Sequence, residues 1–193
     1  MIKTKLFFDT EFTGLHQKTT LISIGIISEC GKTFYAEFTD YDVTQIDDWL
    51  QTNVIKNLKF HNKTGTDLFW NNGDYTEMYG STELIKYTLE KWLNQFREVE
   101  MWSDCLAYDW VLFNEMFGHA FNIPKNVYYI PFDLCTLLKI KGIDPDISRE
   151  KLARAEDMLM PNGEFAETKE DLPKHNALWD AIIIKECYKN VID

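Results

Sequence analysis

The sequence predicts one α/β domain, spanning residues 1–193, built on a mixed sheet of five strands flanked by helices. Three observations carry this reading. Apolar runs of strand length alternate with stretches of helical periodicity. The first three strand-like runs follow one another through short turns, which favours an antiparallel meander. The later two are each followed by a helical segment, as in parallel strands bridged by helices. A chain of 193 residues is long enough for one sizeable core.

The elements follow in order. Residues 5–8 are apolar and lead into Asp9; residues 21–27 are β-branched; residues 33–38 alternate. Glu29, Cys30, Gly31 and Lys32 make a connection short enough for a hairpin. Residues 43–58 carry Val43, Ile46, Trp49, Leu50, Val54 and Ile55 at helical spacing. Residues 62–80 read as a polar loop with embedded aromatics. Ser81 fits an N-cap, with Glu83 in the first turn of the helix that carries Leu84, Ile85, Leu89, Trp92, Leu93 and Phe96.

Residues 99–102 read as a buried strand, 106–117 as a helix and 127–130 as the fifth strand, ended by Pro131. Asp133 can cap a helix over 134–140. Pro145 breaks the chain, and Ser148 can open a helix reaching residue 158. Residues 160–174 form a polar loop containing Pro161, Gly163 and Pro173, and a last helix runs over 176–191.

Hydrophobic residues make up 45% and charged residues 26%, which is ordinary globular usage. Cys30, Cys105, Cys135 and Cys187 form no CxxC pair, which excludes the usual zinc and disulfide frameworks and leaves reduced, buried thiols. No apolar stretch approaches the length of a signal peptide core or a membrane span, so a cytoplasmic protein without a membrane partner is expected. The net charge of −11 argues against a protein that coats nucleic acid with a broad basic surface. It leaves room for an enzyme that holds one strand end through metal ions, because two divalent cations add about four positive charges at one spot.

Three segments carry candidate chemistry. Asp9 and Glu11 lie two residues apart at the end of an apolar strand, so both point to one side of a sheet. Paired carboxylates near a core are costly unless a cation neutralises them, and oxygen ligands suit Mg²⁺ or Mn²⁺. The alternative is a solvated strand end. In the second segment, a strand ends and a helix begins, where α/β proteins place ligands. Asp104 at the boundary has an adequate role as a helix cap. Asp109, among Tyr108, Trp110 and Val111, sits in an apolar helical turn and needs a partner or a metal. In the third, His175 opens the last helix and Asp180 follows five residues later, flanked by Ala177 and Ala181, small residues that let a helix approach a sheet closely.

Asp9-Thr10-Glu11, Tyr108-Asp109 and His175 with Asp180 together resemble, in that order, the DEDDh exonuclease superfamily. The Thr13-Gly14-Leu15 run and the stretch from His175 to Ala181 are similar to a small bacterial exoribonuclease subgroup first described from mycobacteria. Cys105 departs from the pattern, standing where many superfamily members carry Asn. The resemblance implies an RNase H-like fold with the carboxylates at one end of the sheet and two divalent cations, Mg²⁺ or Mn²⁺. Asp9 would bridge them, Glu11 and Asp180 complete the first, and Asp109 hold the second through water. It further implies that His175 acts as general base and that the substrate is the 3′ end of a single strand, with RNA favoured. Phe12, Thr13, Gly14 and Leu15 would form the end-binding turn, through backbone amides and a Leu15 wedge under the last base. A homodimer is the assembly common in this superfamily.

Two other readings fit the same residues less well. A proofreading-type DNA exonuclease would share the catalytic set, since no residue announces contact with a 2′ hydroxyl. A non-catalytic binding domain on the same fold would have no need of all four carboxylates and the histidine. Lys139, Lys141, Arg149, Lys151, Arg154 and Lys174 read as a solvated basic face.

Overall fold

The first strand, β1 (Thr4–Phe12), alternates its side chains between two cores. Leu6 and Phe8 enter one, while Phe7 enters the other. The protein is described here from a computed structural model, over residues 3–60, 68–158 and 173–192. β1 pairs antiparallel with β2 (Leu21–Ser28), which pairs antiparallel with β3 (Thr33–Phe38). This is the meander expected from the short turns.

Among the described residues the sheet has seven strands rather than five. The expected loop over 62–80 contains a hairpin, β4 (Leu68–Asn71) and β5 (Tyr75–Gly80), turning at Gly73 with φ +95°. β5 lies parallel to β3, and β4 forms the outer edge. The strand pattern is masked because an edge strand exposed on both faces needs no apolar alternation; Phe69 and Trp70 are both exposed.

On the other side, β6 (Val99–Ser103) pairs parallel with β1, and β7 (Phe132–Asp133) pairs parallel with β6. The strand expected over 127–130 reduces to a single bridge between Val127 and Val99; pairing resumes only after Pro131, which has no N–H to give a ladder. The order across the sheet is β4-β5-β3-β2-β1-β6-β7.

The segment over 43–58 is not one helix. It divides into a 3₁₀ turn (Val43–Gln45), α1 (Asp48–Asn53) and a second 3₁₀ turn (Ile55–Asn57). Asp47 caps α1 through the Leu50 N–H at 2.8 Å, and a cap in the middle of a periodic stretch ends one helix and starts another. α2 (Thr82–Leu93) and α3 (Leu106–Met116) cover one sheet face, burying Ile85, Leu89, Leu93, Phe113 and Met116 against Ile24, Ile26, Phe34 and Met101. Ser81 stands at the N-cap of α2, but Asp40 accepts the Thr82 N–H.

The opposite face is covered by α4 (Leu134–Ile140), α5 (Arg149–Ala153) and α6 (Ala177–Ile192). Asp133 caps α4 and Ser148 caps α5, as expected. α5 is shorter than predicted: it stops at Arg154, in the left-handed region at φ 56°, and a 3₁₀ turn (Ala155–Asp157) follows. Most of the predicted loop over 160–174 lies outside the described residues. The cysteines are unbonded, but only Cys187 is buried; Cys30 and Cys105 are exposed, because a small side chain beside an apolar run need not point inward. No helix among the described residues is long and apolar enough to cross a membrane.

One contact sets the position of α6. A Cβ at Gly25 on β2 would lie 2.2 Å from the Leu178 backbone nitrogen and 2.3 Å from the Ala177 carbonyl oxygen. Only glycine lets the first turn of α6 rest on the sheet backbone at this point.

Candidate active site

Asp9 lies opposite Gly25 in the β1–β2 ladder, and Glu11 opposite Ser23. Strand alternation directs both carboxylates to the face on which α6 rests. The first turn of α6 carries Asp180 to them. The predicted convergence of Asp9, Glu11 and Asp180 is therefore present, with Gly25 as the residue that permits it.

His175 precedes α6 and joins the same group. Its Nδ1 lies 4.0 Å from Glu11 Oε1, with the His175 side chain 42% exposed and the Glu11 side chain 12%. Its backbone N–H donates to Asp180 Oδ2 at 2.9 Å. Burial and the neighbouring Lys174 hold its pKa below the ordinary histidine value, so the imidazole is neutral at pH 7.

Asp109 approaches from the other side. Thr10 points to the face opposite Asp9 and Glu11, and there its N–H and hydroxyl donate to Asp109 Oδ1 at 3.2 and 2.6 Å. Ser103 donates a short hydrogen bond to Asp109 Oδ2. The Asp109 side chain is fully buried and meets the partner requirement first with hydroxyls. Its charge still reaches Asp9, being the strongest neighbouring charge acting on that carboxyl.

Asp104 is not the helix cap that the sequence suggested. Cys105 occupies the N-cap of α3 and makes no side-chain cap bond. Asp104 instead accepts from Arg149 Nε at 2.8 Å. Arg149 is thus tied into the protein rather than lying on a solvated basic face; it also donates to Cys135 Sγ at 2.8 Å and to the Ile147 carbonyl at 2.7 Å. Lys174 pairs with Glu150 at 3.1 Å.

The electrostatics of the group follow from crowding. Burial, then the charges of Asp109, Glu11, Asp180 and Asp104, push the Asp9 pKa well above the ordinary carboxylate range. Burial, then Asp180 and Asp109, do the same to Glu11. Burial pushes Asp180 up to about 8, with Asp104 adding and the His175 N–H opposing. Burial raises Asp109 to about 7 against the lowering effect of Ser103 and Thr10. Each carboxylate resists ionising beside the others, which is the condition that a divalent cation relieves. Among the described residues, Glu11, His175 and Asp180 offer ligand atoms within 4.8 Å of one another. An oxygen-rich set of this kind fits Mg²⁺ or Mn²⁺.

The turn after β1 departs in part from expectation. Thr13 N–H donates to the Thr20 carbonyl at 3.0 Å and Gly14 N–H to Thr19 Oγ1 at 3.0 Å. These amides are occupied within the turn and are not available to a strand end. Thr13 is buried, its hydroxyl donating to Gln45 Oε1 at 2.7 Å, so Thr13 and Gly14 shape the turn from inside. Phe12 stacks on Tyr108 with ring centres 5.2 Å apart, and Leu15 is 73% exposed.

Sequence reasoning passed over Thr10 and Ser103, which hold Asp109, and the contact that places Trp49 beside His175, with ring centres 5.1 Å apart. Thr10 had a usable signal: it alternates with Asp9 and Glu11 and so belongs to the opposite face. The Trp49–His175 contact joins residues 126 positions apart in the chain, and no local pattern reports it.

A family model described as the 3′-5′ exoribonuclease Rv2179c-like domain matches residues 4–192. Over 140 residues the chain is 26% identical to the 3′-5′ exoribonuclease Rv2179c of Mycobacterium tuberculosis (strain ATCC 25618 / H37Rv), covering 72% of this chain and 76% of the relative. The same figures hold for 3′-5′ exoribonuclease MT2234.1 of the CDC 1551 / Oshkosh strain. With a mixed α/β sheet of RNase H-like type and a match running almost from end to end, the chain belongs to the Rv2179c-like 3′-5′ exoribonuclease family.

Proposed function

We propose that this chain, acting as one catalytic domain, removes nucleotides from the 3′ end of single-stranded RNA by metal-assisted hydrolysis. The observation that carries the reading is the convergence of Asp9, Glu11 and Asp180 on one sheet face, with the His175 imidazole beside them and Asp109 meeting the neighbouring Thr10. Asp9, Glu11 and Asp180 would hold one cation. Asp9 and the charge of Asp109 would hold a second, through water at Asp109, whose oxygens already accept from Thr10 and Ser103. When bound, such cations neutralise the phosphodiester and supply Lewis acidity at both sides of the phosphorus.

The protein's own groups then have distinct tasks. His175, neutral at pH 7, accepts the proton of the attacking water as its oxygen bonds to phosphorus and the bond to the 3′ oxygen breaks. The products are a nucleoside 5′-monophosphate and a strand one unit shorter. Leu15 projects from the end of β1 into solvent, a suitable wedge against the last base, and Phe12 stacked on Tyr108 stiffens the wall beneath it. Such contacts accept any base.

Matched RNA and DNA labelled at the 3′ or 5′ end, incubated with Mg²⁺, Mn²⁺ or EDTA, test the reading. Stepwise loss of 3′ label from RNA, dependent on cation, is expected. Full activity in excess EDTA, or release from the 5′ end, would overturn it; equal rates on DNA would overturn the RNA preference alone.

A further inference from the structure

His175 holds a backbone conformation that residues with a side chain rarely adopt, with φ at +57°. Its neighbours are fixed by a segment that reaches them from the other half of the fold. Asn57 Nδ2 donates to the Lys174 carbonyl at 2.6 Å and to the Asn53 carbonyl at 2.7 Å. The Asn57 carbonyl in turn accepts from Asn176 Nδ2 at 3.2 Å. One residue thus binds the chain immediately before and immediately after His175.

The segment around Asn57 is itself anchored. Asn176 Nδ2 also lies 3.4 Å from the Tyr35 hydroxyl, while Asn176 Oδ1 accepts the Trp179 N–H at the start of α6. Tyr35 donates to the buried Glu37 at 2.6 Å. Glu37 accepts the N–H groups of Lys59 at 2.6 Å and Phe60 at 3.0 Å, just after Asn57. Asn53 Nδ2 donates to the Trp49 carbonyl at 2.8 Å, and the Trp49 indole meets the His175 ring edge-on. A buried carboxylate, a phenol and two amides therefore form a continuous chain that ends on the backbone of His175.

We infer that Asn57 is a positioning residue for His175, holding the imidazole beside Glu11 and Asp180 through the backbone of Lys174 and Asn176. Asn57 lies outside the set assigned to cations and proton transfer, and it acts only through His175. The inference rests on the reading of His175 as proton acceptor. Without the two Asn57 contacts, His175 can leave the left-handed region, and its ring no longer stays in one place. A loss of that kind lowers turnover rather than substrate affinity.

The test is a double-mutant cycle with Asn57→Ala, His175→Ala and both together. Single-turnover rates on saturating RNA would be read, with the Mn²⁺-induced shift in Tm reporting an intact, folded site. Asn57→Ala should lower the rate by roughly tenfold to a hundredfold while KM changes little. It should cost nothing further in the His175→Ala background, because both changes remove the same contribution. Asn57→Ser, whose short hydroxyl cannot span both carbonyls, serves in case Asn57→Ala fails to fold and should behave alike. Unchanged rates in the Asn57 variants, or an equal loss with and without the imidazole, would overturn the inference. Near wild-type turnover in His175→Ala would instead overturn the proton-acceptor reading on which it rests, an outcome read from that single variant alone.

Discussion

Gly25 faces Asp9 across the β1–β2 ladder, and the backbone nitrogen of Leu178 lies 2.2 Å from the point where a Gly25 Cβ would stand. One missing methyl group thus governs how closely α6 meets the strand that carries Asp9. Because Asp180 sits in the first turn of α6, the same gap sets the approach of the third carboxylate to the first two.

Gly25→Ala should therefore affect stability and activity together. The obstructing atoms are backbone, so α6 must move, at a cost of about 1–3 kcal/mol or more. Turnover should fall well beyond what the lost stability explains, since Asp180 and His175 both move with the helix. Denaturant melts and single-turnover assays on the same preparation check this; wild-type turnover from a destabilised variant would show that the site tolerates the shift.

The crowded carboxylates predict a link between pH, cation and stability. Asp109 and Asp180 have folded-state pKa values raised to about 7 and about 8 from an ordinary 3.8. A raised carboxylate pKa stabilises the fold fully below the unfolded value. That contribution is lost as pH climbs through the folded values. In EDTA, Tm should fall between about pH 5 and pH 9. Mg²⁺ or Mn²⁺ should remove much of that fall, because binding to the folded state offsets the repulsion. Asp9→Ala should abolish the cation-induced shift and the nuclease activity. A Tm in EDTA that stays flat over this range would count against the buried, mutually repelling set.

The two aspartates of the β6–α3 junction should separate. Asp109→Asn keeps the size but loses charge, and it sets an amide donor against Thr10 or Ser103, which already donate there. Turnover should fall by roughly a hundredfold or more, with a stability loss of about 1–3 kcal/mol. Asp104→Asn weakens a partly exposed pair with Arg149, at a cost of about 1 kcal/mol or less. Its turnover should stay within a few-fold of wild type. The opposite ranking would move the catalytic assignment to Asp104.

His175→Ala should keep the cation-induced Tm shift and lower turnover by roughly a hundredfold or more. The wild-type rate should drop as pH falls through the imidazole pKa, which burial and Lys174 set below the ordinary value. The acid limb should therefore lie below about pH 6.5, and it should vanish in the variant. Loss of cation binding in His175→Ala would make the imidazole a ligand instead, an alternative with a geometric basis, since its ligand atom lies within 4.8 Å of those of Glu11 and Asp180.

The sequence by itself determined what depends on local periodicity. A strand repeat of two put Asp9 and Glu11 on one face; short turns made β1, β2 and β3 a meander; Asp133 and Ser148 capped their helices as their positions implied. The three segments bearing the acidic residues and the histidine were legible for the same reason. Tertiary structure alone decided what depends on partners distant in the chain. The β4–β5 hairpin was hidden because an edge strand exposed on both faces carries no apolar alternation, and the 43–58 helix divided because Asp47 found a capping role inside it. Asp104 went to Arg149 rather than to the helix end, and Asp109 to Thr10 and Ser103, because a buried carboxylate takes the donors that packing brings to it. The left-handed turn at His175 lies furthest from the reach of sequence: it is held by Asn57, more than a hundred residues away, and only the folded chain brings the two together.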